Sequence, residues 1–134
     1  MPMDNEPDSG AIRGARILLL EDNFLVGLSL RRQLEELKCE VIGPMSTADE
    51  AVAAIAATAI DCGVLDINIR GGTSESVARA LRSRSVPFLF ISGYQSPALH
   101  DDWLRQAPRL IKPVENRVLE RAIGSLIARE TGEV

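Results

Sequence analysis

The chain has 134 residues, of which 46% are hydrophobic and 25% charged, and its net charge is −4. That length suits one domain with a single real core, and the composition excludes a disordered or fibrous chain. Mild acidity provides no basic face for nucleic acid, and no apolar run approaches the ~20 residues that cross a bilayer, so neither nucleic acid nor membrane is expected as a partner.

Residues 1–14 carry Pro, Asp, Glu, Ser and Gly without periodicity and read as a flexible arm. They lack the apolar centre of a signal peptide, which makes the cytoplasm the expected location. The domain is read over residues 15–130, with 131–134 as a tail. Cys39 and Cys62 have no metal-ligand spacing and read as reduced packing residues.

Arg16–Leu20 is a short, almost wholly apolar run, the mark of a strand buried on both faces. Asn23 is placed to cap a helix that runs to about Leu37, with Val26, Leu30, Leu34 and Leu37 at helical spacing. Glu40–Ile42 reads as a second strand, closed by Gly43-Pro44. Thr47 or Ser46 caps an Ala-rich helix through about Ala57. Cys62–Leu65 is a third strand, Gly71-Gly72 a turn, and Ser74 or Thr73 opens a helix through Leu81. Pro87 introduces a fourth strand, Phe88–Ile91. Residues 93–108 predict one short or irregular helix, with Trp103 as its packing anchor. Leu110-Ile111 belongs to a fifth strand. The last helix spans about Glu115 to Arg129, with Val118, Leu119, Ala122, Ile123, Leu126 and Ile127 as its apolar stripe. Five strand–helix units predict an α/β domain with right-handed crossovers and a parallel sheet covered on both faces.

In such a sheet, function gathers at the carboxyl ends of the strands. The first strand ends in Glu21-Asp22, the third in Asp66, the fourth in Ser92 and the fifth in Lys112-Pro113. Together these are three carboxylates, one hydroxyl and one ammonium. Clustered carboxylates repel one another unless a cation intervenes, and Mg²⁺, with Mn²⁺ as a substitute, suits oxygen ligands. Lys112 would pair with Asp66 and with a transferred phosphoryl group, to which Ser92 would donate a hydrogen bond. These are the parts that phosphoryl transfer to a carboxylate requires.

The segments "ARILLLEDN", "DCGVLDINI", "FLFISGY" and "LIKP" resemble, in order, the four signature segments of response-regulator receiver domains over about residues 14–130. The resemblance implies a flavodoxin-like (βα)5 fold, a doubly wound five-stranded parallel sheet of order 2-1-3-4-5. Asp66 is then the phosphoacceptor, and Asp22 binds Mg²⁺ directly, with Glu21 helping directly or through water. The backbone carbonyl of Asn68 would be another ligand, Ser92 the switch hydroxyl and Lys112 the phosphoryl partner, with a cis bond to Pro113. The implied donor is a histidine kinase or histidine phosphotransfer protein. The implied product is a signalling domain that catalyses only its own phosphorylation and dephosphorylation, acts on a downstream protein target and is a monomer or weak homodimer.

Many receivers carry an aromatic residue where this chain has Arg109. Here Tyr94 lies two positions after the serine, and Ser92-Gly93-Tyr94 resembles the single-domain subgroup with a "FATGY"-like fourth strand. Tyr94 would either cover the core edge or shield the acyl phosphate. Phosphorylation is expected to draw in Ser92 and reorder residues 93–108, so that Tyr94, Arg109 and Pro113 lie on the switching or partner-binding surface. Three other functions compete: a phosphorylation-independent receiver-like scaffold, a small Asp-nucleophile phosphatase, and an FMN carrier on the same architecture. The complete acidic set argues against the first, the chain length against the second, and the acidic Glu21-Asp22-Asn23 after the first strand against the third.

Overall fold

The apolar runs become the inner strands of a five-stranded parallel sheet, in a computed structural model that describes residues 12–69, 72–93 and 102–130. The strands are β1 (Arg16–Leu20), β2 (Glu40–Met45), β3 (Cys62–Asp66), β4 (Phe88–Ser92) and β5 (Arg109–Ile111). They lie in the order β2-β1-β3-β4-β5, all parallel, as the sequence predicts. The helices are α1 (Phe24–Glu36), α2 (Ala48–Ala57), α3 (Glu75–Ser83), α4 (Asp102–Arg105) and α5 (Asn116–Glu130). A two-residue hairpin, Asn68–Ile69 against Gly72–Thr73, stands outside the main sheet.

Successive side chains on a strand point to opposite faces. Ile17, Leu19, Val64, Leu89 and Ile91 therefore pack on one side, with Leu30 and Leu34 of α1 and Leu119, Ile123 and Leu126 of α5. Leu18, Leu20, Leu65, Phe88 and Phe90 pack on the other, with Ala51 and Ile55 of α2, Val77, Ala78 and Leu81 of α3 and Leu104 of α4. The inner strands read as continuous apolar runs because both sets are inside. Each fully buried Leu or Ile contributes roughly 1.5–3 kcal/mol before entropy is charged against it.

Local signals fix the helix starts. The Asn23 side chain accepts from the Val26 N–H at 3.0 Å. Thr47 caps α2 by accepting from the Glu50 N–H at 3.1 Å, and Glu50 reaches back to the Ser46 N–H at 3.0 Å. These hydrogen bonds to Ser46 hold the Glu50 carboxyl below its ordinary pKa. Ser74 occupies the cap position of α3, but its buried hydroxyl makes no hydrogen bond among the described residues.

Three sequence expectations need correction. Gly43-Pro44 does not close β2. The register runs Leu18↔Ile42 and then Leu20↔Met45, so the two residues bulge opposite Leu19 and the strand continues. Proline is tolerated there because β2 is an edge strand. Ile12 does not belong to a free arm: it is 1% exposed in the α1/α5 core, and its carbonyl accepts from Ala15 N–H. Residues 1–11 lie outside the described residues. Val118 is exposed, because Leu119, Ile123 and Leu126 already fill the face of α5 that meets the sheet. Lys112–Pro113 is cis, as the resemblance implies, but Gly43–Pro44 is cis as well.

Cys39 and Cys62 are free and buried, and burial pushes both thiols up, Cys39 to about 11 with Glu120 adding to the shift. Trp103 anchors the single turn of α4, edge-on to Phe88 at 6.1 Å, with the Arg82 guanidinium 4.4 Å over its ring.

The packing between the strands and α3 leaves no room at Gly63, where a Cβ would lie 2.6 Å from Leu81 Cδ1 and 3.3 Å from Phe88 Cβ. Gly63→Ala is expected to lower stability by about 1–3 kcal/mol, read from the midpoint of urea unfolding.

Candidate functional site

Three chain segments that end at the same sheet edge supply the charged groups. β1 delivers Glu21 and Asp22, β3 delivers Asp66 as its last residue, and the residue after β5 is Lys112. Parallel pairing carries these ends to one edge: Leu20 lies beside Leu65, Asp66 beside Ile91, and Ser92 beside Ile111. The Lys112 N–H donates to the Ser92 carbonyl at 2.9 Å, which extends the β4–β5 ladder to the lysine itself.

Carboxylate oxygens of Glu21, Asp22 and Asp66 lie within 4.8 Å of one another. Glu21 is 3% exposed and Asp66 5%, whereas Asp22 is half-buried. The Lys112 ammonium stands between the two buried carboxylates, donating to Glu21 Oε1 at 2.7 Å and to Asp66 Oδ2 at 3.2 Å. Main-chain donors hold the other oxygens. Asn23 N–H donates to Glu21 Oε2 at 3.0 Å, and Asn68 N–H to Asp66 Oδ1 at 3.3 Å.

One ammonium does not neutralise this cluster. Burial and the neighbouring Glu21 carboxylate push Asp66 up to about 7, against the opposing pull of Lys112. Burial works against the charge on Lys112, but the hydrogen bonds and charges of Glu21 and Asp66 outweigh it and raise its pKa. The site holds more negative charge than its own residues balance, and its donor set is all oxygen. That is the chemistry of a hard divalent cation such as Mg²⁺.

The sequence-derived set is brought together in large part. Glu21, Asp22, Asp66 and Lys112 converge, Asn68 meets Asp66 through its N–H rather than its carbonyl, and Ser92 is 1% exposed at the end of β4. Lys112 pairs with Asp66, as the sequence suggests, and also with Glu21, at the shorter distance. Arg109 opens β5 beside Phe90 and is exposed, three residues before the charged cluster. Tyr94, His100 and most of the segment after Ser92 lie outside the described residues.

Sequence reasoning missed an apolar groove that adjoins the cluster. Leu25, Val26, Ser29, Leu30 and Gln33 of α1 face Lys112, Pro113 and Val114 across a cavity of about 630 Å³. Gln33 fixes its floor by donating to the Val114 carbonyl at 2.6 Å and to Asn116 Oδ1 at 2.8 Å. Leu25 in its lining is 73% exposed, and its chain neighbour Phe24, outside the lining, is 72% exposed. The available signal was the apolar Phe24-Leu25 pair off the core-facing stripe of α1.

No family model matches the chain, and no curated protein matches it in sequence. Solved structures do. SdrG from Sphingomonas melonis is 34% identical, with 87% of this chain and 98% of that one aligned and a TM-score of 0.74. The signal receiver domain of a modulated diguanylate cyclase from Desulfovibrio desulfuricans is 28% identical, with 88% and 97% aligned and a TM-score of 0.75. The receiver domain of a sensor histidine kinase from Pseudomonas aeruginosa, which has a magnesium ion coordinated in its active site cleft, is 26% identical, with 86% and 98% aligned and a TM-score of 0.69. Among the described residues no helix is long and apolar enough to cross a membrane. Fold, strand order and these likenesses agree, and the chain belongs to the response-regulator receiver domains of two-component signalling.

Proposed function

We propose that this receiver accepts a phosphoryl group on Asp66 from a phosphohistidine donor, with Mg²⁺ bound by Asp22, Asp66, Glu21 and the Asn68 carbonyl. The observation that carries the reading is the buried Glu21–Lys112–Asp66 bridge at the edge of the parallel sheet, with Asp22 beside it. A bound divalent ion would neutralise the acidic cluster and the oxygens of an incoming phosphoryl group.

The chain's own residues do the rest. An Asp66 carboxylate oxygen attacks phosphorus, the new O–P bond forms as the P–N bond breaks, and the donor imidazole leaves with the electron pair. Lys112 already touches Asp66 Oδ2 and would follow the developing charge onto the phosphoryl oxygens. Ser92, at the end of the adjacent strand, would donate to the same group. The switching surface would include Tyr94, Arg109 and Pro113, and the single-domain "FATGY"-like subgroup remains part of this proposal.

Donor and acceptor must come within bonding reach, so the donor protein has to dock beside Lys112. The α1 groove shares Lys112 with the acidic cluster and offers Leu25 as an anchor, with the exposed Phe24 preceding it in the chain. Its occupant in this reading is the helical histidine-bearing surface of the donor.

The first expected outcome is a base-labile phosphoryl adduct on the wild type after incubation with acetyl phosphate and Mg²⁺, absent in Asp66→Asn, read by intact mass. A wild type that takes no phosphoryl group from acetyl phosphate or from any histidine donor would overturn the assignment.

The second concerns pH. Asp66 in the metal-free folded protein titrates near 7, against an ordinary 3.8, so below that pH Mg²⁺ must displace a proton. Mg²⁺ affinity is expected to fall up to about tenfold per pH unit below 7 and to flatten above it, read by calorimetric titration. The folded state holds more protons than the unfolded state between these two values. The Asp66 contribution to metal-free stability therefore declines as pH rises from about 4 to 7. Asp66→Asn removes that decline and raises the metal-free Tm at pH 8.

The third separates donor docking from chemistry. Phe24→Ser/Leu25→Ser is expected to slow transfer from a histidine phosphodonor by about tenfold, the effect of losing roughly 1.4 kcal/mol of contact. Phosphorylation by acetyl phosphate should persist, because neither side chain belongs to the acidic cluster.

A further inference from the structure

We propose that Gly27 and the Gly43–Pro44 bulge form a positioning element that sets the Glu21 carboxylate, and through it the metal affinity and phosphoryl acceptance of the site. The inference rests on the reading of the acidic cluster as a divalent-cation site.

Three contacts carry it. The bulge inserts one extra residue opposite Leu19, and this brings the Met45 carbonyl onto the Glu21 N–H at 2.9 Å. The bulge requires glycine at its first position. Gly43 has φ +123, and a Cβ there would lie 2.5 Å from the Leu19 carbonyl oxygen and 2.8 Å from Met45 N. Gly27 then lets α1 close onto the bulge. A Cβ on Gly27 would lie 3.0 Å from both Pro44 Cβ and Pro44 Cγ, and 3.6 Å from Glu21 Cγ.

The bare backbone of Gly27 therefore faces the proline ring and the Glu21 side chain together. The crowding is against Pro44, which does not yield easily, while Glu21 Cγ at 3.6 Å is in ordinary van der Waals contact. The Pro44 ring has no rotamer by which to withdraw, and the bulge around it is hydrogen-bonded to Glu21. The Glu21 carboxylate is tied at both oxygens, to Asn23 N–H and to the Lys112 ammonium. Gly27 also sits inside the first turn of α1, where its N–H donates to the Asn23 carbonyl at 2.8 Å. Any outward step of this turn displaces Asn23, and with it the donor that holds Glu21 Oε2. Glycine in a helix interior costs stability relative to alanine, about 1 kcal/mol. Close approach at a functional site offsets that cost here.

Gly27 is thus a positioning residue, acting through Glu21 and touching neither metal nor phosphoryl group. In Gly27→Ala, α1 or the bulge must give by a few tenths of an ångström. The better helix propensity of alanine keeps the variant folded.

The test is a double-mutant cycle on the intact chain, with Mg²⁺ as the probe. Gly27→Ala is expected to weaken Mg²⁺ binding by about tenfold, the lower end for lost support around a metal ligand. Its Tm should stay close to the wild-type value. In a Glu21→Gln background the same substitution should have little further effect on Mg²⁺ affinity, because the group it acts through is already changed. A second readout needs no metal: the backbone amide signal of Asn23 in a ¹H–¹⁵N spectrum should shift in Gly27→Ala, reporting the altered bond to Glu21. Wild-type Mg²⁺ affinity and an unmoved Asn23 signal in Gly27→Ala would overturn the positioning role alone. An equal loss of affinity in both backgrounds would also overturn it, since Gly27 would then act by another route. A wild type that binds no Mg²⁺ would overturn the metal-site reading beneath it as well.

Discussion

Lys112 leaves the last strand and places its ammonium between two carboxylates that are almost wholly removed from water. Without that cation, Glu21 and Asp66 would stand as buried like charges, an arrangement that proteins avoid by protonation or distortion. With it, the pair is tolerated but not satisfied, because burial and Glu21 still push Asp66 up to about 7. The site is built around a charge deficit. In the proposed reading a divalent cation would answer that deficit and, with the Lys112 ammonium, would balance the charge of a transferred phosphoryl group.

The sheet makes this arrangement possible. A parallel sheet presents all its carboxyl ends at one edge, so residues far apart in sequence meet without any loop having to hold them. Glu21 and Lys112 are 91 positions apart and Asp66 and Lys112 are 46. Their separation is fixed by strand pairing, and strand pairing is fixed by two apolar layers that lock each strand's alternate residues into opposite cores. The rigidity of the candidate site is inherited from leucines and isoleucines that take no part in its chemistry.

This dependence explains which features were legible in the sequence. The inner strands, the caps at Asn23 and Thr47 and the charged set at the strand ends all follow from local composition and period, whereas the sheet order follows only from the family resemblance. What escaped notice depends on contacts between distant segments. Gly43-Pro44 looks like a stop signal, and only the register against Leu19 turns it into a bulge. Ile12 sits in a polar stretch, and only the space beside Cys39 and α5 makes it core. Ser74 has the chemistry of a cap, yet its hydroxyl finds no partner among the described residues, because its backbone at φ −89 and ψ 15 lacks the extended conformation of a capping residue. The preference of Lys112 for Glu21 over Asp66 is a matter of tenths of an ångström that no residue pattern encodes.

Core and site make opposite demands on the same strands. β1 and β3 are apolar up to their last turn outward, where carboxylates appear at positions as well buried as the leucines before them. A sequence selected for stability alone would not place Glu21 and Asp66 there, since local consistency favours apolar or neutral groups at such depth. The violation is confined to one edge and supported by a bulge, a bare helix turn at Gly27 and a shared lysine. Each of these devices weakens the fold taken by itself: glycine in a helix, an irregular strand, a half-buried ammonium. Their coincidence around one pair of carboxylates is what distinguishes a site held in place from acidic residues that merely fall at strand ends.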